Sequence, residues 1–572
     1  MPELRFALSS KLIGSAATLM LGLAAVSQAQ VTLVPTTPQV GSSNPATAEP
    51  LVARPSTTPC VVPLLQNQAF ADFTPKVINY TPPAACPGPW AKVVFTADFT
   101  VTMGRQFDRT AAFYLGHANI YYGTTAEPRH TLSPSWHVER DVTDLSAIFQ
   151  SAQTGEANLG NFVGTYAGVV YDGIIYANAA LEFYPANIAN PAPRVPDMVI
   201  PVNGGGGDAG TLSTTADAIT QTLNLPQNVE SAYLDVIAQS QSADEFWYSC
   251  VPNDETGPLQ SCGGTAFRET EVAIDSKPAG VAPVYPWIYT GGIDPYLWEP
   301  IPGIQTLDFV PYRVDLTPFA GVLSDGNAHT VAVSVYNANS YFLATANLLV
   351  YTDHGVSKVT GGLLSDTLGM PTPIVQDNIT SPSAGAYTGT VDTTSARSFK
   401  VSGYVNTSHG RVDTTVNESV GFANDQSFTI NATQYIQDIT QATAVDSSTL
   451  TKNGGITSAH EQHFQYPLTL DIVFAVNPDG SFYQTTTSDQ GFQRNDSMST
   501  SGVGAVTSSI REEDQTTDTL PFDANGRFLG PANSTASQSY VWRNSQGGCY
   551  SRTITASAQK LTSVTDGQGC GK

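Results

Sequence analysis

The 572-residue chain is 41% hydrophobic but only 13% charged, with 48 Gly, 38 Pro, 24 Tyr and 24 Phe, a composition that suits short strands joined by turns and excludes coiled coils and long charged helices. Acidic side chains outnumber basic ones 49 to 25, and the resulting net charge of −24 repels a polyphosphate backbone and an anionic bilayer alike, which excludes nucleic acid as a partner. The same surplus of carboxylates suits a protein that works in acid, where protonation relieves their mutual repulsion.

Arg5 and Lys11 flank the start of an apolar stretch from Leu12 to Val26, and Ser27 and Ala29 supply the small residues of a cleavage site. Residues 1–29 are therefore expected to be a signal peptide and the mature protein to be secreted or periplasmic. No later apolar stretch is long enough to span a bilayer, so no stable membrane anchor is expected. The six cysteines then lie in an oxidising compartment, and nearest-neighbour spacing favours the pairs Cys60–Cys86, Cys250–Cys262 and Cys549–Cys570.

From Gln30 the sequence turns rich in Pro, Thr and Ser ("PTTPQVGSSNPATAEP"), and residues 30–85 read as a tail or linker with too little apolar content for a core. Strand signals begin at Trp90 with "AKVVFTADFTV", "AAFYLGHANIYYG" and "AALEFYPA", which places a first β-sandwich over 86–215. It closes near four consecutive glycines from Gly204, which read as a loop. A second strand-rich block, 216–370, runs from "SAYLDVIAQSQ" to "ANLLVYTDH". It echoes the first: "RDVTDL" from Arg140 and "VDLTPF" from Val314 share an Asp, an apolar residue and a Thr before a short connection, hinting at two sandwiches of one design in tandem. Residues 371–572 are rich in Thr, Ser, Asp and Asn with alternating segments such as "QSFTINATQYI", and read as a third, β-rich module with polar outer faces.

No metal or cofactor is expected. "HEQH" at His460–His463 places its histidines three apart in a strand-like context, whereas the zinc motif needs them four apart on a helix. No nucleophile elbow or dinucleotide fingerprint occurs. Carboxylates remain. Asp108, between Phe107 and Arg109 at the head of an aromatic run, reads either as a turn cap or as an acid or base in a cleft; on an extended strand it would face away from both neighbours. Asp244 and Glu245 precede Phe246, Trp247 and Tyr248, and acid beside aromatic rings suits a sugar, whose face stacks on a ring while carboxylates accept its hydroxyl protons. Tyr285–Gly303 adds Trp287, Tyr289, Tyr296 and Trp298 among glycines and prolines, an aromatic surface expected on loops. These residues fit a two-carboxylate glycosidase or a non-catalytic carbohydrate-binding protein.

The run from Trp90 to Leu368 resembles the peptide-N-glycanase A family on "GRQFDR", "GTTAEP", "WHVERDVTDLSAIF", "LGNFV", "DEFWYS" and the continuous "FRETEVAIDSKPAGVAPVYPWIYTGGIDPYLWEPIPG". A more distant resemblance reaches the peptide-N-glycanase F type, built from two jelly rolls with the active site at their junction. Its essential Asp in "WDR" matches "FDR" at Asp108 and Arg109, its "AEW" glutamate falls on Glu245 beside Trp247, and Arg268 matches an arginine on its next strand. The chain departs from that type by an insertion carrying Cys250 and Cys262. The resemblance implies an all-β fold of two tandem jelly-roll-like antiparallel sandwiches plus the C-terminal module, and hydrolysis of the N-acetylglucosamine–asparagine amide of an N-glycopeptide or denatured N-glycoprotein. It implies Asp108 and Glu245 as catalytic residues and Arg109, Arg268, Trp247 and Trp298 as substrate-binding residues; a monomer is expected as the working form.

Overall fold

The computed structural model describes residues 33–570 except Asp108, Pro128, Gly204–Gly207 and the side chain of Pro35, so the expected signal peptide and Asp108 itself lie outside the described residues. All-β is the observed class, and the strands form antiparallel sheets. No helix among the described residues is long and apolar enough to cross a membrane.

Two β-sandwiches share one strand order. In the first, a four-stranded sheet runs Cys60–Phe70, Ile175–Pro185, Trp90–Val101, Ser135–Asp141, and it faces a four-stranded sheet of Lys76–Tyr80, Gln153–Asn158, Thr110–Leu115, Ala118–Thr124. In the second, Met198–Pro201 and Gly210–Leu212 together pair with Tyr341–Thr352, which is followed by Val229–Gln241 and Tyr312–Asp315; the facing sheet is Ala218–Leu223, His329–Tyr336, Glu269–Ile274, Lys277–Pro283. Read in chain order, first beside last beside third beside sixth, and second beside seventh beside fourth beside fifth, each is a jelly roll. The sequence echo has a structural basis. In both rolls the sixth strand ends in an Asp whose Oδ1 accepts the backbone N–H two residues on, Thr143 to Asp141 at 3.1 Å and Thr317 to Asp315 at 2.9 Å, starting a short 3-10 turn.

The expected boundaries shift. Residues 60–80 are not linker: Leu64, Leu65, Phe70, Ile78 and Tyr80 are buried in the first roll's core, and both strands of this stretch are needed to complete its two sheets. Upstream, Arg54 bridges Glu139 and Glu182, and Ala46 and Ala48 pack against Tyr540, Tyr550 and Ile554. The strands at 198–201 and 210–212 belong to the second roll rather than the first, and Thr360–Asp366 pairs with Ala386–Thr407 of the third module. Apolar residues set among prolines and polar residues give little period to read, so their burial depends on partners distant in sequence.

The rolls meet face to face. Ala118–Thr124 is buried along its whole length, which half-exposed strands never are, because one side fills the first roll and the other packs on the second. Tyr122 stacks edge-on to Phe309 and donates from its hydroxyl to Gln239 Oε1 at 2.9 Å, while Asn119 and Asn347 exchange hydrogen bonds at 3.2 and 2.9 Å.

The third module is one 12-stranded antiparallel sheet in which long strands, up to 22 residues, follow one another as hairpins. The alternation is regular, but the face turned to the second roll is itself rich in amides and hydroxyls. Those groups are used. Asn424 Nδ2 donates to Tyr248 O at 2.8 Å, Gln426 Nε2 to Cys250 O at 3.1 Å, and Thr516 Oγ1 to Leu297 O at 2.8 Å. Gln490 donates to Pro286 O at 2.7 Å and accepts from Ile304 N at 2.9 Å. Buried irregular loops of the second roll cannot pair their own backbone groups, and the third sheet supplies the missing partners.

Candidate active site at the junction of the two rolls

The connections between the third and fourth strands are topologically equivalent in the two rolls: residues 102–109 in the first and 242–268 in the second. The first contains Asp108 in sequence; the second carries Glu245. Two expected carboxylates thus fall on corresponding loops.

Around Asp108 the backbone is not strand, contrary to the alternation expected there; the strand starts at Thr110. Arg109 is held by a two-way backbone link to Thr125, its N–H donating to Thr125 Oγ1 at 3.0 Å and its carbonyl accepting from Thr125 N at 2.6 Å. Its guanidinium lies 4.6 Å from the centre of the Phe107 ring. The Thr125 carbonyl accepts from Thr290 Oγ1 of the second roll at 2.6 Å. Arg109 is therefore fixed to the inter-roll seam.

On the second roll, the strand Val229–Gln241 ends at Ser242, whose φ of 55° turns the chain sharply into a 3-10 turn. Asp244 inside that turn is 1% exposed and accepts from Arg268 Nε at 3.1 Å and Arg268 Nη2 at 2.8 Å, while its second oxygen accepts from Asn339 N and Ser340 N at 2.9 and 2.7 Å. Glu245 follows at the end of the turn and is only half-buried. It lies near Tyr248 and Tyr289: burial first, and then the charge of Glu245, push both phenols well above their ordinary range. The Tyr289 hydroxyl donates to Ser240 O at 2.7 Å, and the next residue is Thr290. The seam Arg109–Thr125–Thr290 and the group around Glu245 thus share the segment Tyr289–Thr290.

Three expected substrate contacts take other roles. Arg268 has no exposed side-chain surface and is spent on Asp244 and on the carbonyls of Thr265 and Phe267. Trp247 is 1% exposed and packs on Tyr248 and Phe422, and Trp298, 3% exposed, donates to Gly292 O at 2.9 Å. A ring without an open face offers none to a sugar. Most of the aromatic segment from Tyr285 is core, with Trp287 tilted against Phe309 at 4.4 Å and Tyr285 edge-on to Tyr466 at 5.0 Å, while Tyr296 is half-buried beneath the Arg129 guanidinium. Thr125 and Thr290, which the sequence did not single out, hold the site instead, together with Tyr289, which was expected on an open aromatic surface, and with Glu127, which borders a small recess with Thr290 and Glu299. "GTTAEP" carried Thr125 and Glu127 in plain view, but nothing local showed which carbonyl Thr290 would seek.

All three expected disulfides form. His460 and His463 sit on one strand and turn apart, to Asp496 at 3.5 Å and to Asp446 at 2.5 Å. Glu230, Asp353 and His409 bring possible ligand atoms within 4.8 Å of one another, at the opposite end of the strand Val229–Gln241 from Glu245.

Residues 48–367 match the family model described as peptide N-acetyl-beta-D-glucosaminyl asparaginase amidase A. The chain is 29% identical over 479 residues to the peptide-N4-(N-acetyl-beta-glucosaminyl)asparagine amidase A of Prunus dulcis, covering 80% of this chain and 81% of that protein. Among solved structures, PNGase F, a glycosylasparaginase from Flavobacterium meningosepticum, aligns with a TM-score of 0.34 at 14% identity, over 51% of this chain and 96% of its own. PNGF-II aligns with a TM-score of 0.35 at 13% identity, over 52% and 65%.

Proposed function

The chain belongs to the peptide N-acetyl-beta-D-glucosaminyl asparaginase amidase A family, and on that premise we propose how its own residues carry the reaction. The protein is an amidase that cleaves the bond between N-acetylglucosamine and asparagine in N-glycopeptides, and the match across residues 48–367, which takes in both jelly rolls and their seam, is the observation that carries this conclusion. In the reading offered here, Asp108 is the general base: it takes a proton from water, the hydroxide oxygen bonds to the side-chain carbonyl carbon, and the C–N bond breaks. Asparagine becomes aspartate, and the sugar leaves as a glycosylamine that loses ammonia in solution.

Glu245 faces the same event from the second roll. Its half-buried position at the end of an anchored turn supports the role assigned to it here, accepting hydrogen bonds from glycan hydroxyls or passing a proton to the departing nitrogen. Arg109, pinned to Thr125 and through it to Thr290, suits polarisation of the carbonyl that gains charge. Arg268 has no part in this step beyond holding Asp244. A monomer exported through the N-terminal apolar stretch and working in acid completes the reading; its supports are the charge of −24 and the spacing of residues 1–29.

Mass spectrometry on one defined N-glycopeptide tests it. The expected product is a peptide whose Asn has become Asp, with the whole glycan released. A peptide retaining one N-acetylglucosamine would identify a glycosidase instead, and retention without turnover a binding protein. Running one glycoprotein native and denatured, from strongly acidic to neutral pH, checks the rest: faster release from the denatured form and in acid is expected.

A further inference from the structure

A cavity of about 570 Å³ lies between the second roll and the third module, and none of Arg109, Thr125, Ser240, Glu245 or Tyr289 lines it. Across its floor one row of polar side chains runs straight over the long sheet, beside a second row of Val416, Thr449, His460, Met498 and Val506. Glu418, Ser447, Gln462, Asp496, Ser508 and Asn544 are direct cross-strand neighbours on successive strands, all on the face turned to the roll. Six polar side chains in register are unexpected on a face that docks another module, unless their groups are used.

Elsewhere on this face they are: Asn424, Gln426, Gln490 and Thr516 bond to loop backbone of the roll. In the cavity the pattern changes. Gln462 Nε2 and Arg494 Nη2 donate to Asp496 Oδ1 at 2.9 and 2.8 Å, Arg494 Nε lies 2.7 Å from Asp496 Oδ2, and the network stays within the sheet, leaving space above it. Arg494 rests over the Phe464 ring, and half-buried Tyr312 and Trp542 border the opening with Tyr466 deeper in.

Three features narrow the ligand. Arg494 and His460 share Asp496, the rim cation Arg313 meets Asp235 and Asp144, and Asp315 and Glu418 add two more acids to the lining, so positive side chains are in no excess there to attract a phosphate or sulfate. The floor belongs to strands hydrogen-bonded on both sides, so no free strand edge exists there for an extended peptide to join. Planar amide, carboxylate and guanidinium groups beneath aromatic rings are instead what vicinal hydroxyls and the apolar face of a pyranose need, and the volume is that of a small-ligand site at a module junction. Burial alone would raise Asp496, but the neighbouring His460 at 3.5 Å and the hydrogen bonds from Arg494 and Gln462 outweigh it and hold the carboxyl well below its ordinary range, ionised even in acid, while burial raises Glu418 to about 8 and leaves it a protonated donor. The row offers both an acceptor and a donor where the enzyme is proposed to work.

We propose that this cavity is a second, non-catalytic binding site for a neutral oligosaccharide, such as the glycan portion of the substrate. A glycan held there raises the local concentration of its glycoprotein near the catalytic seam without touching the reacting bond. The proposal does not depend on the roles given to Asp108 and Glu245.

Isothermal titration of the full chain with N,N′-diacetylchitobiose and with a neutral mannose trisaccharide, in mild acid, tests it. Binding of at least one is expected. Gln462→Ala and Trp542→Ala should each weaken it by about tenfold or more, and so should Val506→Trp, which narrows the opening from a position 42% exposed and hence tolerant of bulk. Turnover of a short glycopeptide should be unchanged in all three. Absence of binding to wild type, or binding that survives all three substitutions but falls with Glu245→Gln, overturns the proposal and assigns any sugar affinity to the catalytic seam.

Discussion

The Arg268 guanidinium grips Asp244 with two hydrogen bonds, 3.1 and 2.8 Å long, in a place where neither side chain meets solvent, and this pair holds the turn from which Glu245 projects. Removing one partner of a buried pair strands the other charge, which costs about 3–5 kcal/mol. Asp244→Ala and Arg268→Ala are therefore expected to lower the melting temperature sharply, with activity falling along with folded protein. Glu245→Gln should melt like wild type and lose turnover. Thermal unfolding and single-turnover rates on the same preparations separate the two; a stable but inactive Asp244→Asn would move the catalytic role one residue back.

Asp108→Asn is close to isosteric and is expected to fold normally and to lose about 10²- to 10⁴-fold in kcat, the usual contribution of a general base. Rates on a defined glycopeptide decide it. Turnover near that of wild type would leave Asp108 a structural residue.

Gln490 serves two buried backbone groups of the aromatic segment, Pro286 O and Ile304 N. Leaving each unpaired costs about 1–3 kcal/mol. Gln490→Leu should lower stability by roughly that sum and loosen residues 284–306, which hydrogen exchange would register as faster amide exchange in that stretch. Unchanged protection there would mean that the third module does not brace the loop.

The buried carboxyls at the module interfaces carry a pH signature. Burial, with neighbouring carboxyls adding, raises Glu49 to about 7 and Asp518 to about 7, and pushes Glu512 and Asp514 well above the ordinary carboxylate range; neither Asp514 oxygen has a hydrogen-bond partner among the described residues. Burial likewise raises Glu269 to about 8. Folded values above unfolded ones mean that the native state holds protons the unfolded chain has released. The stability they contribute is full below the unfolded pKa of about 4 and is lost as pH rises through about 7 to 8. Glu139 works in the opposite sense: burial alone would raise it, but hydrogen bonds from His137 and Arg54 bring it down to about 2, so its contribution fades as pH falls toward that value. The melting temperature should peak in mild acid, decline as pH rises from there to about 8 and level off beyond, and Glu512→Gln or Asp514→Asn should flatten that decline. A profile that keeps rising to pH 8 would contradict this assignment of protons.

Period and turn chemistry are local, and what depends on them was legible in the sequence: the all-β class, the three disulfides and the matched Asp–Thr turns after Asp141 and Asp315. Burial is not local. Trp247 and Trp298 read as open rings because each stands in a segment full of glycine, proline or charge, but packing against distant segments buries them, with Phe422 of the third sheet against Trp247 and Thr516 on the Leu297 carbonyl beside Trp298. Arg268 had two acids in "DEFW" to choose from, and the fold chose Asp244 because that turn points inward, leaving Glu245 at the seam. Strands from 60 to 80 looked like linker for the same reason: their partners at 153–158 and 175–185 lie far along the chain, and an apolar residue reveals its worth only when the surface it covers has been built.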